Sequence, residues 1–152
     1  MIFPGAVVYT ARTLLETPYL HQGRLPGKNG GIDCIGVAIV TCRKLLLLPE
    51  DFDYSDYGRD GSGKLETIVS EYCTPLTAPT PGALLLFRTT PGQTVAQHCA
   101  ICTNWSDRAG WDNETLGMLH AYQNVGKVKE HELISFWSDR LIGSYGFPNV
   151  NY

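Results

Sequence analysis

Val7, Val8, Ala11, Leu14 and Leu15 follow Pro4 at the i, i+1, i+4, i+7, i+8 rhythm of an amphipathic helix with proline in its first turn, a helix expected to end before Pro18. Residues 17–32, TPYLHQGRLPGKNGGI, then hold two prolines and four glycines without periodicity. That is a loop signal, and a loop this long in a small domain is usually functional. From Asp33 the chain is apolar on nearly every helical face, through Ile35, Val37, Ala38, Ile39, Val40, Cys42, Leu45 and Leu46. A buried central helix is expected there, closed by Pro49. After the acidic, tyrosine-containing DFDYSDYGRDG, Ser62 precedes a shorter amphipathic helix carrying Leu65, Ile68, Val69 and Tyr72.

Beyond the proline-rich TPLTAPTPG, read as a loop, the texture changes to short apolar runs between turn residues. Residues 83–88, 95–103, 117–122 and 127–132 are expected to form strands of one antiparallel sheet, with 141–147 as a possible fifth. Helices first and strands after give an α+β fold. No internal repeat or low-complexity segment interrupts it, so residues 1–152 are read as a single domain.

Composition narrows the function classes. With 43% apolar and 18% charged residues in 152, the chain suits one globular core. A net charge of −3 without a Lys/Arg cluster argues against nucleic acid as a partner. No apolar run approaches the roughly 20 residues that span a bilayer, so stable membrane insertion is not expected. The amino terminus lacks the pattern of a secretory signal, and synthesis as a soluble cytosolic protein is expected. Cys34, Cys42, Cys73, Cys99 and Cys102 are odd in number and irregularly spaced, a poor disulfide framework.

One of these thiols stands apart. In GGIDCIG, Cys34 sits where the central helix begins, with Asp33 placed to cap it and Gly30 and Gly31 allowing close backbone approach. A helix start favours thiolate over thiol, which makes Cys34 a candidate nucleophile, although a small buried core residue is the more common role for a lone cysteine. A nucleophilic thiol needs a base and a group to orient that base. Among four histidines, His21 and His131 read as solvated or local, whereas His98 and His120 lie in expected strands. A hairpin register that sets His98 directly opposite His120 would put both on one face.

Cys99 and Cys102 raise a rival metal or redox reading, but a strand would send them to opposite faces and no second pair completes a zinc set. No metal and no cofactor is expected. GRDGSG lacks the flanking strand and the Gly-Lys-Ser/Thr ending of a phosphate loop. Trp105 and Trp111, between the histidine strands, are candidates for lining a groove, with packing onto the sheet the simpler role.

Taken in order, TPYLHQGR, GGIDCIG, QHCAIC and MLHAYQNVGKV resemble the NlpC/P60 cysteine peptidases, in particular the small phage-tail and gene-transfer-agent type. The similarity runs from about residue 8 to residue 147. It implies a papain-like fold with Cys34 as nucleophile, His98 as general base and His120 as orienting group, and with Tyr19 and Asp33 facing the substrate. Ile35 and Ala83 stand where the family often has serine and aspartate, and Cys99 where valine or glycine is common. The implied reaction is hydrolysis of amide bonds in peptidoglycan stem peptides, such as D-γ-glutamyl-diamino acid. The implied setting is a phage tail that reaches the periplasm, with tail-tip or hub proteins as partners docked at Phe52 to Tyr57 or at the carboxy-terminal GSYGFPNVNY. Two alternatives remain open, a structural tail-tip protein with weak or lost catalysis and a thiol-dependent acyltransferase or amidase on another substrate.

Overall fold

A computed structural model describes residues 1–60, 63–105 and 115–152. Pro4 stands at the start of α1 (Pro4–Arg12), where its missing N–H costs no helical bond, and Val7, Val8 and Ala11 point into the core. The helix stops earlier than the sequence predicts. The N–H groups of Thr13 and Leu14 bond the carbonyls of Thr10 and Ala11, tightening the chain into a turn that leaves Glu16 at φ 70°.

The segment read as a plain loop contains a small antiparallel hairpin, β1 (Arg24–Leu25) with β2 (Gly31–Ile32). Glycine is needed at position 30, because a Cβ there would collide with the Leu25 carbonyl oxygen. The hairpin delivers the chain to α2 (Cys34–Leu45), in which every residue from 35 to 42 is buried, as expected of a central helix. Pro49 does not close it. Leu46 turns left-handed at φ 55°, and the Leu47 N–H bonds the Cys42 carbonyl. The shorter helix, α3 (Leu65–Tyr72), buries Leu65 and Val69 and starts from Lys64 without a side-chain cap; Ser62 lies outside the described residues.

Six antiparallel strands follow: β3 (Thr74–Leu76), β4 (Leu84–Phe87), β5 (His98–Asn104), β6 (Leu116–Tyr122), β7 (Lys127–Glu132) and β8 (Leu141–Gly146). Their spatial order is β3-β8-β4-β5-β6-β7. The expected runs all become strands, and β8 joins the sheet between β3 and β4. β3 itself was read as loop because of its proline. At a sheet edge the missing N–H of Pro75 can face away from the neighbouring strand, and β3 pairs with β8 there. The chain is thus an α+β fold with helices on a large antiparallel sheet.

Two hydrophobic clusters sandwich that sheet. Helices α1, α2 and α3 cover one face, where Val7, Ile39 and Val69 meet Leu84, Cys99 and Ile101. On the other face Leu85, Phe87, Ala100, Cys102 and Met118 lie under Trp137 of the one-turn α4 (Ser135–Ser138). Among the described residues, no helix is long and apolar enough to cross a membrane.

Candidate active site

The start of α2 meets the start of β5 in a cleft of about 240 Å³ lined by Tyr19, Cys34, Tyr57, Arg59, His98 and Tyr122, among others. Asp33 caps the helix, its Oδ1 accepting from the Gly36 N–H at 2.8 Å. The same carboxylate accepts from Arg24 at 3.1 Å, from the Gln22 N–H at 2.7 Å and from the Tyr57 hydroxyl at 2.7 Å. Asp33 is 2% exposed, so both oxygens are buried and committed to the protein. These bonds hold the loop, the helix start and the Tyr57 wall in one register, and Asp33 also borders the cleft.

Cys34 is partly exposed at the floor of this cleft, whereas Cys42, Cys99 and Cys102 are buried. Its thiol is held well below its ordinary range, first by hydrogen bonding from the Cys99 thiol and then, against the cost of burial, by the charge of His98 and a hydrogen bond from it. Cys99 is driven the opposite way by the same contact, so the pair holds one proton on Cys99. The Cys99 sulfur also sits 3.3 Å from the Cys34 carbonyl oxygen. A thiol is a weak donor. His98 is the partner able to carry a full positive charge beside the thiolate.

The histidine strands do not pair in the expected register. Ile101 faces Leu119 rather than Gly117, a slip of two residues, so His98 lies diagonal to His120 instead of opposite it. Because side chains alternate with period two, an even slip preserves the shared face. The rings still meet, with His98 Nε2 2.7 Å from His120 Nδ1. Cys99 and Cys102 belong to opposite faces, in separate clusters, and do not converge.

The two rings sit in an aromatic box. Trp137 lies 5.1 Å from the His98 ring and 5.2 Å from the His120 ring, Tyr122 stacks on His120 at 5.7 Å, and Phe87 flanks His98 at 6.2 Å. His120 is 1% exposed. Burial in this box, and then the neighbouring charges of His98 and His131, push its imidazole well below the ordinary value. His120 is therefore a neutral ring that receives or gives hydrogen bonds without taking a charge.

Tyr19 is half-buried on the cleft wall, and burial, then the Cys34 charge, raise its phenol above the usual range. It stays protonated, a donor next to the thiol. His21 also lines the cleft, 4.0 Å from Asp33 and edge-on to Tyr57, and is not the freely solvated residue its glycine-rich context suggested. His131 is a larger correction: its Nε2 lies 2.9 Å from His120 Nε2. Trp105 is absent from the cleft lining, and Trp111 lies outside the described residues. The tyrosines expected to be exposed for docking turn inward, Tyr54 at 7% exposure and Tyr57 onto Asp33. At the carboxy terminus the Tyr152 hydroxyl donates to the Gly82 carbonyl and accepts from the Phe147 N–H.

Sequence reasoning missed Arg24, Tyr57, His131 and Trp137. A signal for His131 was present: the four-residue turn QNVG closes β6 onto β7 with Tyr122 opposite Lys127, which sets His131 opposite Met118 and on the face of His120. The aromatic lid on α4 had none, since a one-turn helix carries no periodicity. Compared with protein-family models and with curated proteins, the chain matches none.

Proposed function

We propose that this chain is a thiol hydrolase of amide bonds, of the NlpC/P60 type with a papain-like arrangement, acting on peptidoglycan stem peptides. The observation that carries the reading is the partly exposed Cys34 at a helix start, its thiol depressed, facing a histidine whose far nitrogen is 2.7 Å from a second, neutral histidine. Perturbed thiols with an oriented base are arrangements that catalysis requires and packing does not.

In this reading the Cys34 thiolate attacks the carbonyl carbon, forming a C–S bond while the carbonyl electrons move onto oxygen. The backbone N–H of Cys34, at the positive end of α2, is the candidate donor to that oxyanion. The C–N bond then breaks, and the leaving amine takes the proton that His98 carries on Nδ1. Water attacks the thioester, gives a proton to His98 and releases the acid, which restores the thiolate. His120 holds the His98 ring in place throughout by the 2.7 Å contact between them. Tyr19 and Arg59 supply polar contacts to the bound peptide.

The substrate class and the setting, a phage or phage-like tail that delivers the chain to the periplasm, rest on the quoted motifs and their order. Of the two segments expected to dock on tail-tip or hub proteins, the carboxy terminus keeps Tyr152 39% exposed, whereas Tyr54 of the other is buried. Purified wall fragments incubated with the protein and read by mass spectrometry are expected to lose the stem-peptide amide, and Cys34→Ala is expected to lower the rate by at least about 10³-fold, the scale of losing a nucleophile. Purified particles should contain the chain. Undiminished turnover by a folded Cys34→Ala protein sinks the hydrolase reading; particles without the chain sink the tail.

A further inference from the structure

Hydrogen-bond roles along the histidine line can be assigned from one end. The Glu132 carbonyl oxygen can only accept, and His131 Nδ1 lies 2.8 Å from it, so that nitrogen carries the proton. In the uncharged form of His131 the other nitrogen, Nε2, is then an acceptor, whereas the charged form would donate from both. It lies 2.9 Å from His120 Nε2, which must be the donor. His120, kept neutral by its surroundings, is left with a bare Nδ1 that accepts from His98 Nε2–H at 2.7 Å. Only one nitrogen of His98 remains, Nδ1, for the hydrogen bond that ring makes to the Cys34 thiol.

We infer that His131 is a positioning residue that fixes the tautomer of His120 and, through it, the orientation and proton placement of His98. A single orienting group would not do this. Without a partner on Nε2, neutral His120 is free to carry its proton on Nδ1, and two N–H groups would then oppose each other across the 2.7 Å gap whenever His98 Nε2 carries a hydrogen. The backbone carbonyl at the far end of β7 removes that option, because it cannot change roles. β7 is itself tied to the helical layer, where Glu130 accepts from the Arg12 guanidinium and both Lys127 and Lys129 reach Glu16. The line is thus anchored at both ends by secondary structure. His131 does not line the cleft, so its effect on a substrate must pass through the rings.

The kinetic consequence rests on the hydrolase reading; the tautomer itself does not. On the resting, ¹⁵N-labelled protein at about pH 8, above the ordinary histidine range, long-range ¹H–¹⁵N correlation spectra are expected to show His131 as the Nδ1–H form and His120 as the Nε2–H form. In His131→Leu the His120 signals should become those of a tautomer mixture. His131→Gln, whose amide oxygen can accept near the former Nε2 position, should restore the single form. For the hydrolase, His131→Leu should lower kcat about tenfold with KM unchanged, in the range that outer partners of a functional histidine cost. His131→Gln should recover most of that loss.

An Nδ1–H His120 in the unmodified protein, or a His120 tautomer indifferent to a folded His131→Leu change, overturns the inference. So does a loss that appears in KM alone. Correct tautomers in a protein that cleaves nothing would uphold the inference and sink the hydrolase reading. If His131→Leu fails to fold, the spectra of the unmodified protein and of His131→Gln still decide.

Discussion

At the scale of single residues, the five thiols are separated by environment more than by sequence context. Burial raises Cys42, pushes Cys73 to about 11 and Cys102 to about 12, and Cys99 is raised by its contact with Cys34. Cys34 alone moves down. Alkylation proceeds through thiolate, so a short iodoacetamide pulse at about pH 6, well below the ordinary thiol range, should label Cys34 before any other cysteine. Peptide mapping after the pulse reads the order, and equal labelling of Cys73 would contradict a depressed Cys34. The cap on the same helix is a residue-scale device too. Asp33 satisfies four donors with two oxygens, which is why Arg24 and Tyr57, distant in sequence, become part of the site.

At the scale of elements, α2 does two jobs at its two ends. Its amino end presents Cys34 with an unusually complete cap, and its carboxy end closes on Leu46, an 80% exposed residue held left-handed at φ 55°. A leucine in that conformation pays about 1 kcal/mol or more in sterics while burying almost nothing. Leu46→Gly should therefore raise stability by about 0.5–1 kcal/mol, the steric relief being partly offset by the greater freedom of glycine in the unfolded chain. Urea denaturation measures it, and a lower midpoint would mean that Leu46 makes a contact the fold depends on. The sheet elements are built differently. β5 and β6 each carry one histidine toward Trp137 and one cysteine or leucine toward the helices, so a single strand serves the helix-facing core and the ring line at once.

At the scale of the whole molecule, the buried histidine makes stability depend on acidity. His120 has a folded pKa below its ordinary 6.5, so the unfolded chain binds the proton more readily. Its contribution is therefore complete above 6.5 and is lost as pH falls from there toward the folded value. Depressed Asp53 acts with the same sign at lower pH. Thermal midpoints should fall between about pH 7.5 and about pH 5.5, the window of histidine alone, and the slope should be shallower in His120→Asn. An identical slope in that variant would show that His120 titrates as an ordinary ring. The carboxy terminus belongs at this scale as well. Val150 bridges to Ile2 and Tyr152 bonds Gly82, so trimming the last residues would loosen the start of the chain along with its end.

Much of this arrangement is written locally and could be read without a structure. The run of apolar residues from Ile35 to Cys42 can only be a buried helix, and an Asp-Cys pair at its start sets both the cap and the thiol within one turn. Short apolar runs between turn residues marked the strands, and the even spacing of His98 and His120 kept them on one face through a register slip of two. What the tertiary structure decided is everything that depends on pairings between distant segments. The slip itself, the Trp137 lid, the capture of Asp33 by Arg24 and Tyr57, and the recruitment of Pro75 into an edge strand are of this kind. Local propensity and periodicity extend over a few residues, whereas these contacts join residues from 9 to more than 70 positions apart; only the closing of the sheet on its helices determines which of them meet.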